Sequence, residues 1–250
     1  MKSLKLVIPT VLFGALSFAA HADTAVPAYV SAAIADKARG DDAKADERRK
    51  PAALMALTGV KPGDTVVDLI PGSGYFTRIF AKIVGPPGHV YAIWPAEYAK
   101  EDAEDVATTQ KLPQAYPNVS VIIQPAAQFA IPMKADVVWT SQNYHDYPDK
   151  FMGPTDPAIL DREVLAALKP GGVFVVVDHV AEAGSGERDT EKLHRIDPAF
   201  VKTQVVAAGF TFDGESDALH NPADNHTLLV FKKEIRGNTD QFAYRFRKPK

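Results

Sequence analysis

Cysteine is absent from the 250 residues, which removes both a disulfide framework and a lipid-modified bacterial N-terminus. Stability must come from packing alone. Clusters of lysine and arginine are also missing, except at the extreme C-terminus, and the formal net charge is −3. Such a chain lacks the electrostatic footprint that binding a nucleic-acid backbone demands, so nucleic acid is not expected as a partner. Internal repeats and long low-complexity linkers are lacking too. The apolar run Leu6 to Ala20 is short for a bilayer and is interrupted by Pro9 and Gly14, so no stable membrane insertion is expected. What is present is 46% hydrophobic and 24% charged content, enough for one domain with a sizeable core.

The N-terminus combines Lys2 and Lys5, the apolar run, and Ala20-His21-Ala22. A basic start, a short hydrophobic centre and a small-x-small site predict a secretory signal over 1–22, cleaved after Ala22, and hence a periplasmic or secreted protein. Loss of Lys2 and Lys5 would take the formal charge to −5. Residues 23–50 are alanine-rich and charged, with Arg39-Gly40-Asp41-Asp42 as a break, and predict an N-terminal helical cover. Pro51 opens a further helix that Gly59 closes, and 51–250 forms the main domain.

From Lys61 apolar strands alternate with amphipathic helices, the pattern of a parallel sheet covered on both faces. Strands are expected over Thr65–Leu69, His89–Ile93, Val119–Ile123, Ala135–Thr140 and Gly172–Asp178. Helices are expected over Phe76–Val84, Lys100–Leu112, Asp156–Leu168 and Ala199–Ala208. Two late strands without a helix between them predict an antiparallel hairpin. Phe210 begins one; the other is either Phe242, Tyr244 and Phe246 with their alternating neighbours, or His226–Phe231.

The most informative stretch is Asp68-Leu69-Ile70-Pro71-Gly72-Ser73-Gly74-Tyr75-Phe76-Thr77. Glycines between a strand and a helix let the backbone approach a ligand at the carboxyl edge of a doubly wound sheet. A nicotinamide fingerprint requires a third glycine where Thr77 stands, which disfavours a dinucleotide oxidoreductase.

At these residues the chain resembles the class I S-adenosylmethionine-dependent methyltransferases. More narrowly, Gly74 to Arg78, Tyr144-His145-Asp146 and Leu193 to Pro198 look like an exported bacterial subgroup of methyltransferases. The resemblance implies a Rossmann-like, doubly wound α/β fold, with a mostly parallel seven-stranded sheet ending in an antiparallel hairpin. It also implies S-adenosyl-L-methionine as cofactor. Asp68, Pro71, Gly72, Ser73, Gly74, Trp94 and Asn143 are the expected cofactor-binding residues.

Three positions depart from the family, the first being Ile70, which replaces the glycine usually found first in the loop. The second strand ends in Trp94 where family members carry the acid that accepts both ribose hydroxyls, a task no indole performs. Glu97 is a substitute acceptor three residues on, and Trp94 offers either a stacking face for adenine or a cover for the sheet edge. The third strand runs into Gln124-Pro125-Ala126-Ala127-Gln128, without the usual acid.

For chemistry, His145 is the expected base, with Asp146 orienting it, in the loop that faces substrate in the family. Asn143 and Tyr144 are candidates for binding substrate. Asp178, His179, His194 and Arg195 either complete a polar pocket, with Arg195 holding an anion, or form a salt-bridged network. No metal is assigned, because no His-x-x-x-His or comparable ligand spacing occurs. The expected function is methyl transfer to a small molecule in the periplasm. The rival is a non-catalytic periplasmic ligand-binding protein on a degenerate version of the fold.

Overall fold

The structure is a computed structural model that describes residues 26–153 and 155–250. The expected signal segment 1–22 lies outside the described residues. Among these, seven strands form one sheet: β1 Thr65–Leu69, β2 His89–Pro95, β3 Val119–Gln124, β4 Ala135–Ser141, β5 Leu168–His179, β6 Thr211–Glu215 and β7 Gln241–Arg247. Their order is β3-β2-β1-β4-β5-β7-β6. The first five run parallel, while β7 is antiparallel to both β5 and β6. The expected fold class is therefore the observed one.

Strand residues alternate between two apolar layers, as the two-residue period of a strand requires. Val67, Leu69, Ile93, Val138, Phe174 and Val176 face one layer. Val66, Val90, Ala92, Val137, Trp139, Val175 and Val177 face the other. The second layer is closed by α1 Ala28–Ile34, α3 Pro51–Thr58 and α4 Tyr75–Val84, which follow and flank the short α2 Asp46–Arg49. The first is closed by α8 Pro157–Ala167 and α9 Pro198–Ala207 through Leu160, Val164, Val201 and Val205.

The single helix expected over Lys100–Leu112 is broken into α5 Tyr98–Glu101, α6 Ala103–Thr109 and α7 Leu112–Ala115. Asp102 leaves helical geometry at φ −127° and caps α6 by accepting from Asp105 N, and Pro113 in the first turn of α7 starts a new helix rather than extending the last. The last strand is Gln241–Arg247, where Phe242 and Phe246 enter one layer and Ala243 the other. His226–Phe231 is not a strand. Arg195 Nε holds Leu228 O at 2.9 Å and His226 Nε2 bonds Asp240 Oδ2 at 3.0 Å, which pins that stretch as turns. No helix among the described residues is long and apolar enough to cross a membrane.

Candidate active site

The glycine-rich loop leaves β1 at Asp68. Ile70 stands where the family has its first glycine, and its backbone is left-handed at φ 54°. A β-branched side chain there costs about 1–2 kcal/mol. That cost is offset by Ile70 N donating to Ile93 O at 2.8 Å and by Asn143 Nδ2 donating to Ile70 O at 2.9 Å. Gly72 and Gly74 follow at φ 54° and 89°, and Gly74 N closes the turn on Pro71 O at 3.0 Å.

Each residue of the Tyr75 to Arg78 run has a visible task. Tyr75 donates to Asp46 Oδ1 at 2.6 Å, and Phe76 packs on Trp139 with ring centroids 4.7 Å apart. Thr77 donates to Asp68 Oδ2 at 2.6 Å. Arg78 Nη1 holds both Asp42 Oδ2 and Ser73 O at 2.9 Å. The residue that sequence comparison counts only as a missing glycine is thus the donor that orients Asp68.

Asp68 is buried. Burial pushes its carboxyl up, and the Thr77 hydroxyl and the nearby Arg49 charge offset this only in part, leaving it at about 7. Arg49 lies over the rings of Tyr75 and Phe76, 4.7 and 5.6 Å from their centroids.

The loop is roofed. Thr109 on α6 donates its hydroxyl to Asp105 O and brings Oγ1 within 3.4 Å of Gly72 O, and a Cβ on Gly72 would meet Asp105 Oδ2 at 3.5 Å. A Cβ on Gly74 would strike Leu112 Cδ1 at 2.7 Å. Trp94 is wholly buried beneath the same helix, with Nε1 donating to Thr109 Oγ1 at 3.1 Å. It covers the sheet edge here, and stacking on a base requires α6 to move. Glu97 is engaged as well, accepting from Ala126 N at 2.8 Å.

The second centre lies at the ends of β4 and β5. His145 sits in the single turn Tyr144–Asp146 that follows β4. Its Nδ1 meets Asp178 Oδ1 at 2.8 Å, and its backbone N donates to Asp178 Oδ2 at 2.8 Å. Its Nε2 lies 3.2 Å from both Asp146 Oδ1 and His194 Nδ1. Burial would lower the His145 pKa, but Asp178 and Asp146 outweigh it and raise the group well above the ordinary imidazole range. Burial would likewise raise Asp146, but His145 and His194 outweigh it and hold the carboxyl at about 2. His145 is therefore held between two carboxylates, Asp178 at Nδ1 and Asp146 at Nε2, rather than standing free in the loop. Tyr98 connects the two centres: its ring packs on Trp94, and the charge of Asp146, after burial, raises its hydroxyl pKa.

Other candidates turn away. Tyr144 is fully buried, donates to Asp161 on α8 at 3.0 Å and accepts from Gln204 at 2.7 Å. Asn143 accepts from Thr140 and donates to Ile70, so it ties the β4 loop to the glycine-rich loop. His179 bonds Thr239 Oγ1 at 2.7 Å, and burial pushes its pKa down to about 4. Arg195 is completely buried on Asp224, at 2.9 Å, and on two backbone carbonyls; the salt-bridged alternative holds for it. Short-range spacing along the chain offers no metal site, yet the fold brings ligand atoms of His145, Asp146 and His194 within 4.8 Å of one another.

No family model matches the chain. Over 125 residues, 50% of this chain, it is 31% identical to a ubiquinone/menaquinone biosynthesis C-methyltransferase from Hydrogenovibrio crunogenus, covering 45% of that protein. Over 127 residues, 49% of this chain, it is 28% identical to a protein-L-isoaspartate O-methyltransferase from Aeropyrum pernix, covering 42% of it. The chain thus spans less than half the length of these curated relatives. The crystal structure of a SAM dependent methyltransferase from Aquifex aeolicus superposes with a TM-score of 0.56 at 18% identity, covering 88% of this chain and 98% of that one. That likeness is one of fold.

Proposed function

We propose that the protein is an S-adenosylmethionine-dependent methyltransferase acting on a small molecule, exported to the periplasm or beyond by the segment 1–22. The observation that carries this reading is Asp68. A buried carboxyl raised to about 7 lacks a full counter-charge, and a cationic ligand at the glycine-rich loop supplies one. Methyltransferase relatives aligned over half the chain support the same choice.

The loop residues fit the amino-acid end of the cofactor. Asp68 would take its ammonium group, and the left-handed backbone of Gly72 and Gly74, with Pro71 and Ser73 between, would lie along it. Asn143 would support the loop from behind through Ile70 O, and Trp94 would reach the cofactor only on movement of α6. When bound, S-adenosylmethionine supplies an electrophilic methyl group on a sulfonium. Holding an acceptor in line with that group is the main task left to the protein. On the acceptor side His145 and Asp146, with His194, form a hydrogen-bonded cluster that orients a polar group.

The roof over Gly72 favours a second reading, a binding protein that retains the fold without turnover. Calorimetry and thermal unfolding with S-adenosylmethionine and its demethylated product test the first. Binding raises the unfolding temperature with ligand concentration. Absence of any response up to millimolar ligand refutes the methyltransferase reading and selects the second.

A further inference from the structure

We propose that His145, Asp146 and His194 form a binding site for one zinc ion, with an open coordination position facing solvent. The three candidate ligand atoms, His145 Nε2, His194 Nδ1 and Asp146 Oδ1, make a triangle with sides of 3.2, 3.2 and 3.6 Å. Ligand atoms around a tetrahedral zinc stand about 3.3 Å apart when each is about 2.0–2.1 Å from the ion. An ion equidistant from these three atoms therefore fits with little movement of any side chain. Two imidazoles and one carboxylate are a donor set that suits zinc better than calcium or magnesium.

Three further observations agree. His145 is oriented through its other nitrogen by Asp178 at 2.8 Å, the carboxylate–histidine support that metal-bound imidazoles commonly have. With His145 bound to the ion as a neutral imidazole, the two carboxylates beside it lose their counter-charge and the ion replaces it. The Asp146 and Asp178 side chains are 4% and 0% exposed, and among the described residues no lysine or arginine pairs with either. Finally, His194 is 29% exposed while the other two are buried, so the fourth position opens on the His194 side. Three protein ligands and one open position are the arrangement of a catalytic rather than a structural zinc.

The site stands on its own geometry; its role rests on the proposed function. A zinc ion here would bind an oxygen or sulfur of the acceptor and favour its anionic form at neutral pH.

The test uses the whole chain, purified without a histidine tag or chelator, with elemental analysis for zinc and cobalt substitution followed by visible spectroscopy. About one zinc per chain and the bands of a tetrahedral cobalt site are expected. His194→Ala and Asp146→Asn are each expected to lose the metal while circular dichroism shows the fold retained. Asp178→Asn should weaken zinc about 10–100-fold. No zinc retained after incubation with excess zinc chloride overturns the proposal, as does wild-type zinc affinity in a folded His194→Ala protein. Calorimetry with S-adenosylmethionine on the same preparation separates the two claims: cofactor binding without zinc overturns only the metal site, and zinc without cofactor binding overturns only the methyltransferase reading.

Discussion

Asp68→Asn exchanges a buried acid for a neutral group of the same shape, and its effect on stability depends on pH in a calculable way. In the folded chain the carboxyl titrates at about 7, against 3.8 for the ordinary group. Between these values the folded state binds a proton that the unfolded state has released, so wild-type stability falls as pH rises and the loss is complete above about 7. From about pH 5 to the folded value is two units, at 1.36 kcal/mol each, or about 2.7 kcal/mol. Asparagine has no such dependence. It keeps an acceptor for the Thr77 hydroxyl but adds an amide donor with no assigned partner, a cost of about 1–3 kcal/mol. Urea unfolding of both proteins at about pH 5 and about pH 8 should therefore show the variant gaining about 3 kcal/mol relative to wild type across that interval. Asp161, also raised to about 7, titrates in both proteins and cancels in the comparison. A difference between the proteins that stays flat with pH, or that turns against the variant at high pH, refutes the account of Asp68. In the wild type, affinity for a sulfonium ligand should rise by up to about tenfold per pH unit approaching neutrality, because the binding form is the carboxylate.

Thr77→Val removes the donor to Asp68, and a loss of about 1–3 kcal/mol is expected at about pH 8 in urea unfolding, shrinking at lower pH where the carboxyl is protonated. Gly74→Ala places a Cβ 2.7 Å from Leu112 Cδ1 in a left-handed backbone, which should cost about 1–2 kcal/mol and lower the melting temperature. Unchanged stability there would mean that α7 does not rest on the loop. Arg195→Met strands Asp224 without its buried partner, and a loss of about 3–5 kcal/mol is expected; a neutral result would return Arg195 to the list of ligand-binding residues.

Much of the fold was legible because its signals are local. Val66, Val67 and Leu69 declare a buried strand, Gly85-Pro86-Pro87-Gly88 a turn, and Phe242, Tyr244 and Phe246 a two-residue period. The broken helix was less legible, because Asp102 and Pro113 had to be weighed against an apolar spacing that runs through them. In the site, Asp68, Gly72 and Gly74 were readable from their place between a strand and a helix. The meaning of Thr77 was not, since its partner Asp68 lies across a turn that only the folded loop closes.

Sequence alone therefore determined which segments are strands and helices, where the glycine-rich loop stands, and that polar residues gather at the ends of β4 and β5. Those properties follow from side-chain spacing and backbone preference within a few residues. Tertiary structure decided the partners: that Trp94 lies under α6, that Arg195 serves Asp224, and that His194 meets His145 from 49 positions further along the chain. Such pairings depend on which strands are neighbours and on the need of every buried polar group for a partner, neither of which is carried by spacing along the chain.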